Sequence, residues 1–304
     1  MPEFNLEDGL ICYNWTPLVA DYVIDYPQEF YENWGVKRLH DKENMIISDI
    51  DEMEENDVIF VKTDFIVNGQ FQNEVMSKIK TPFNLITAAS SYVIERDMET
   101  PESYKEILNN EYLQNWFCTN PPKEENDKLH CLPVGFSEPN RLKSNQKMLK
   151  RIQKNRKLFE EKANLFFLPY HNPNTNKERQ KISTNLKKNE FVHTMPGKTS
   201  IEPYLRLMDS YRFILCIQGS GDDTHRLYES LLVGSVPITI NCTIKKIFDE
   251  YNLPGIFINS WEELDMEFYK EISAREYDFS GVENFLKAQT HANKIKQCKE
   301  IVSL

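Results

Sequence analysis

Residues 213–240 read FILCIQGSGDDTHRLYESLLVGSVPITI: an apolar run, a Gly/Asp turn, a charged helix start and a second apolar run. Gly219, Ser220 and Gly221 permit a sharp turn and close approach of a ligand to the backbone, because glycine tolerates positive φ. Asp222, Asp223 or Thr224 can cap the helix that follows by accepting from its free amides. Those amides and the helix dipole favour an anion such as a diphosphate. A cation in the first turn is disfavoured by the same dipole, so Arg226 makes better sense facing bound phosphate. Glu229 lies three residues on and shares the helix face of Arg226. A surface ion pair between the two is the plain alternative. The Gly-rich strand end in front and Gly234-Ser235-Val236-Pro237 behind favour a ligand. His225 suits a phosphate donor or a packing residue equally. The segment has no GKS or GKT of a P-loop, and with Gly219 and Gly221 alone it is no GxGxxG fingerprint.

Arg179 follows YHNPNTNKE on a helix, as a second phosphate contact or a solvated side chain; Lys177 and Lys198 are weaker versions of the same idea. His171 and His193 end strands and could hydrogen-bond a base or sugar, although a lone histidine is more often structural.

Elements must carry these groups to one place. In the first half, VIFVKTDF (58–65), FNLITAA (83–89), NWFCTN (115–120) and HCLPVGF (130–136) read as buried strands. FQNEVMSKI (71–79) and ESYKEILNNEYL (102–113) read as helices between them. Residues 137–163 break the rhythm with SEPN and a polar, Lys-rich helix suited to a connector. The alternation then resumes with strands at 165–171, 190–195, 212–218, 236–241 and 255–260. Helices are expected at 176–188, 201–211, 225–234, 243–252 and from Trp261, with Gly234 as a left-handed cap. Strands alternating with helices imply crossovers and a mainly parallel sheet. The expected organisation is a lobe over 1–150, a second over 151–280, and a last helix over 281–304 able to pack across both.

The chain of 304 residues is 40% hydrophobic and 27% charged, ordinary for a soluble globular protein. A formal charge of −11 argues against general affinity for nucleic acid. The acidic run 41–57 and the basic run 141–162 read as solvated surface, the latter alternatively as a rim near an anionic substrate. No apolar stretch approaches the roughly 20 residues that span a bilayer, and MPEFNLEDGL lacks the features of a secretory signal. Six cysteines have no paired spacing, which implies reduced thiols and no zinc site. Asn241-Cys242-Thr243 is read as a chance sequon. These features lead to an expectation of a cytoplasmic protein without a membrane segment.

The stretch SYRFILCIQGSGDDTHRLYESLLVGSVPITI resembles the nucleotide-sugar-binding segment of exostosin-like glycosyltransferases. Their pattern is a strand, a G-x-G-x-D-x-HR turn, an E-A/S-L-x-x-G helix, then a small residue and P-I/V. Asp223, His225, Arg226, Glu229, Leu231, Gly234, Pro237 and Ile238 occupy matching positions. The resemblance spans residues 58–265 and is specific over 211–240. Gln218 stands where many relatives carry Pro, and SSYVI at 90–94 lacks an Asp that related chains carry. The resemblance implies an α/β, GT-B-like fold: two Rossmann-like lobes with mainly parallel sheets facing an interlobe cleft, the donor in the second. It implies that Glu229 accepts from the donor ribose, that Arg226 faces the diphosphate, and that Gly219–Thr224 line it. GT-B enzymes generally use protein cations and helix dipoles in place of a metal, so no metal and no cofactor are expected. Asp222-Asp223 is a poor DxD, and Asp223 is read as a cap or turn residue.

The implied activity is a hexosyl or pentosyl transfer from a nucleotide sugar, UDP-linked by preference, to a glycan acceptor, with inversion. Such a transfer needs a base within reach of the acceptor hydroxyl. Asp64 after VIFVKT and Glu95 after SSYVI are the candidates; Asp64 is preferred, and each can instead be a cap or surface residue. Tyr13, Trp15, Tyr92 and Trp116 could stack on a sugar, although Trp116 sits in an apolar run that suits core packing. Two other readings remain open: a fucosyltransferase-like enzyme using a GDP sugar, which would carry Tyr-x-x-Glu-Lys near Thr224, and a non-catalytic nucleotide or sugar binder.

Overall fold

The structure is a computed structural model that describes residues 4–13, 15–33, 38–137, 145–171, 177–195 and 197–300. The chain forms two compact units, Met1–Val134 with Lys287–Leu304, and Gly135–Leu286.

In the first unit β1 (Tyr22–Ile24), β2 (Asp57–Lys62), β3 (Phe83–Ala88), β4 (Leu113–Cys118) and β5 (Leu129–Cys131) form one sheet in that order. Every adjacent pair is parallel. All residues of β2 and β3 are buried, as expected for strands covered on both faces. Their β-branched and aromatic runs made them legible. Short β1 was not expected: three residues between Asp21 and Asp25 give no run to read. The fourth run ends early at Cys131, because Pro133 has no amide to continue a ladder. The predicted helix over 71–79 is broken into Gln70–Glu74 and a 3-10 turn Met76–Lys78, with Val75 off helical geometry between them.

In the second unit β6 (Ala163–Leu168), β7 (Val192–Thr194), β8 (Tyr211–Leu215), β9 (Val236–Ile240) and β10 (Ile256–Ile258) form another parallel sheet, ordered β10-β9-β8-β6-β7. The chain runs outward from β6 to β7, then returns to place β8 on the other side of β6. That reversal makes the carboxyl ends of β6 and β8 a topological switch point, where open α/β sheets bind ligands. Both units are thus α/β with five parallel strands, the fold class implied by the sequence.

The Lys-rich connector is a helix, Gln146–Lys154, capped by Asn145 and burying Leu149 and Ile152. It belongs to the second unit, so the chain passes between units at 134/135 and not at 150/151. Most of the SEPN turn lies outside the described residues. The tail is two helices, Val282–Phe285 and Ala288–Glu300, and the second lies in the first unit, where the Ala288 amide donates to the Gly9 carbonyl at 2.8 Å. All six cysteines are free thiols.

Candidate anion-binding site

The switch point gathers His171, which follows β6, Arg179 from the helix Lys177–Leu186, and Arg226 from the helix His225–Leu232. Arg179 is buried and donates Nη2–H to the Ile217 carbonyl at 2.9 Å, just past β8. Arg226 donates to the Tyr170 carbonyl at 3.1 Å, just past β6. Among the described residues no carboxylate pairs with either guanidinium, and each has its Nε enclosed without a partner in the protein. Burial, and secondarily the charge of Arg226, pulls Arg179 down to about 9. Burial, then the two guanidiniums, pushes His171 down to about 2; only the Pro169 carbonyl favours the protonated ring. Neither ring nitrogen of His171 makes a hydrogen bond of normal geometry. The site therefore holds two cations and one neutral imidazole, with no carboxylate in an ion pair with either guanidinium among the described residues.

Glu229 does not pair with Arg226. Its carboxylate accepts from the Tyr204 hydroxyl at 2.9 Å, on the helix Ile201–Met208. Burial, with Glu229 next, raises the Tyr204 hydroxyl well above its ordinary value, so it remains a donor. Tyr204 gave no signal in the sequence, since its link to Glu229 exists only through the packing of two helices.

Several local expectations change. Thr224 stands at the N-cap position with extended backbone, but its hydroxyl makes no cap bond and is buried without a partner. Asp223 is also buried and accepts from the Tyr228 hydroxyl, tying the turn to the helix that follows. Thr224 thus does not cap the helix with its side chain. Neither Gly219 nor Gly221 takes positive φ. Gly219 instead lets the turn close, its amide reaching the Gly221 carbonyl at 3.2 Å, and a Cβ there would lie 3.5 Å from Arg179 Nη1. Ser220 is exposed. His225 donates through Nδ1 to the Gly135 carbonyl at 2.7 Å. Gly234 is left-handed as expected, at φ 70°, with Gly234 and Ser235 amides closing onto Leu231 and Ser230 carbonyls.

His193 contacts the Tyr211 hydroxyl at 3.1 Å, and Lys198 is exposed. In the first unit Asp64 opens the short helix after β2, with Oδ2 buried and 3.9 Å from Lys62 Nζ. Lys62 is itself buried and donates to the carbonyl of Ala89, a non-glycine residue at φ 59°. Glu95 accepts from the Lys123 amide at 3.2 Å. The same strand ends carry a cluster the sequence reading missed, where Asp25 accepts from Tyr31 at 2.5 Å and lies 3.2 Å from His40 Nε2. Trp15 and Trp116 are core residues, the latter bonded to Thr87 at 2.8 Å, so neither can stack on a ligand. Tyr13 is half-buried and Tyr92 exposed.

Among the described residues no cluster of three or more His, Cys, Asp or Glu could hold a metal, and no helix is long and apolar enough to cross a membrane. No curated protein is significantly similar to the chain. The solved structures it resembles include the GtfA/B complex, at 9% identity over 82% of this chain and 58% of that chain, with a TM-score of 0.45. The chain thus spans less than two thirds of that protein. Another is the UDP-GlcNAc 2-epimerase of Methanocaldococcus jannaschii in complex with UDP-GlcNAc and UDP, at 16% identity over 79% and 75%, TM-score 0.40. A third is the H444N variant of the wall teichoic acid polymerase TagF, at 11% identity over 81% and 74%, TM-score 0.24. A family model, that of the RXYLT1 C-terminal domain, matches residues 173–281, which include Arg179, Tyr204, Arg226 and Glu229. Over that segment, about a third of the chain, the protein is similar to this exostosin-related family.

Proposed function

We propose that the chain transfers a sugar from a nucleoside diphosphate sugar, UDP-linked by preference, to a hydroxyl of a carbohydrate acceptor. The observation that carries this reading is the two guanidiniums at the switch point of the second sheet, each with an enclosed Nε that has no partner and, among the described residues, no carboxylate paired with it. Two such forks bind phosphate oxygens bidentately, and they stabilise the charge that develops on a departing diphosphate. In this reading the dipole of the His225–Leu232 helix adds to the same end, and Glu229, held by Tyr204, accepts from the ribose hydroxyls. In this reading the protein's own cations serve where other enzymes use a metal, and the transfer inverts the anomeric centre. Asp64 is the proposed base: its Oδ2 lacks a hydrogen bond, whereas Glu95 is engaged by the Lys123 amide.

Thermal shifts with pyrophosphate, UDP, GDP, ADP and CDP, followed by turnover assays with the matching nucleotide sugars, test the proposal, since a ligand of the native state raises its apparent stability. Arg226→Ala should weaken pyrophosphate and nucleotide binding by about tenfold or more. Glu229→Ala should weaken nucleotides while sparing pyrophosphate. Full pyrophosphate affinity in Arg226→Ala, or no turnover of any nucleotide sugar with or without glycan acceptors, would sink it.

A further inference from the structure

Beside the anion site, and within the same unit, lies a groove of about 580 Å³. It opens past the carboxyl ends of β8 and β10, where Gln218 and Asn259 stand, and is walled by the helix Lys177–Leu186 and by Trp261. Arg179 lines it too, so the groove and the anion site share one buried guanidinium whose Nε has no partner. The volume is within the range of roughly 300–1,000 Å³ usual for small-molecule pockets.

The lining points to one kind of ligand. A packing fault would be apolar and closed to polar groups. Here Trp261, Ile182 and Ile217 offer an apolar wall, while Gln218 and Asn259 bring amides that both donate and accept. A sugar ring has that same division, with C–H groups on its faces and hydroxyls around its edge. A nucleotide sugar has two organic ends joined by the diphosphate. The reading above gives Glu229 and Tyr204 to the nucleoside end, which leaves the glycosyl end for the space beside the helix that carries Arg179.

We propose that this groove receives the glycosyl group of the nucleotide sugar, with Trp261 against the ring and Asn259 and Gln218 reading its hydroxyls. The inference rests on the diphosphate reading of Arg179 and Arg226. It makes this groove the determinant of which sugar the protein accepts.

Titration calorimetry of the full chain tests it with pyrophosphate, UDP, GDP, a panel of UDP and GDP sugars, and free monosaccharides. Trp261→Ala should weaken the preferred nucleotide sugar by about tenfold while leaving pyrophosphate and the parent nucleotide within about twofold. Asn259→Ala, at an exposed position, should act in the same direction. Equal weakening of nucleotide and nucleotide sugar would give the groove to the nucleoside end and overturn the proposal. So would unchanged affinities in both variants, or a groove that binds free acceptor monosaccharides through Trp261 without discriminating nucleotide sugars. If the wild-type chain binds neither pyrophosphate nor nucleotides, the proposed function falls and takes this inference with it. The inference fails alone when those ligands bind normally.

Discussion

His171 shows how the site's chemistry is set by its neighbours. Enclosed beside two guanidiniums, it is pushed down to about 2 from an ordinary value of 6.5. It stays neutral at working pH and can offer one N–H without adding a third positive charge. The unfolded chain takes up a proton below about pH 6.5 that the native ring refuses. Native stability should therefore fall as the pH drops through that value, and His171→Gln should flatten this part of the slope. Urea unfolding between about pH 7 and pH 5 reads the difference; identical slopes would mean the ring protonates freely in the folded state. Arg226 and Glu229 were legible because helical spacing fixes a shared face. The second cation, Arg179, was legible only as one of two readings, since its meeting with Ile217 depends on strand order.

Long apolar runs announced β2, β3, β8 and β9, because strands buried on both faces need no alternation to be recognised. Short β1 escaped because Asp21 and Asp25 on either side leave no apolar run to read, and the break at Val75 because the helical spacing continues through it. The turn before His225 was recognised for its glycines but for the wrong reason, since neither glycine there is left-handed. Gly234, at the other end of the helix, is left-handed. Gly234→Ala places a side chain at φ 70°, with its Cβ 3.2 Å from Arg156 Cδ. A left-handed non-glycine residue costs about 1–2 kcal/mol, and each kcal/mol lowers Tm by roughly 2–4 °C in a protein of this size. Gly219→Ala should leave Tm nearly unchanged and weaken pyrophosphate instead, because its Cβ would stand against the Arg179 guanidinium. Calorimetry on the two variants separates the roles; the same Tm loss in both would contradict the distinction.

At the scale of the whole chain, the two units are unequal in how they are built. The second is continuous in sequence, whereas the first is completed only by its distant carboxyl-terminal helix. That helix buries Ala288, Ala292 and Ile295, and Leu10 bridges to Lys287 in antiparallel pairing. Lys299 closes the arrangement with carboxylates at both Asp21 and Asp57, at 2.8 and 3.0 Å, where β1 and β2 begin. The composition at 288–300 predicts a helix but says nothing of which unit it joins, since that is decided by long-range contacts. A chain ending at Leu286 should therefore lose amide protection over residues 9–24 and 57–62, while β6 to β10 and the His225 helix keep theirs. Hydrogen exchange on the truncated protein checks this, with pyrophosphate binding as the control for the second unit. Loss of protection starting around the candidate anion site would contradict this assignment of the terminal helix to the first unit.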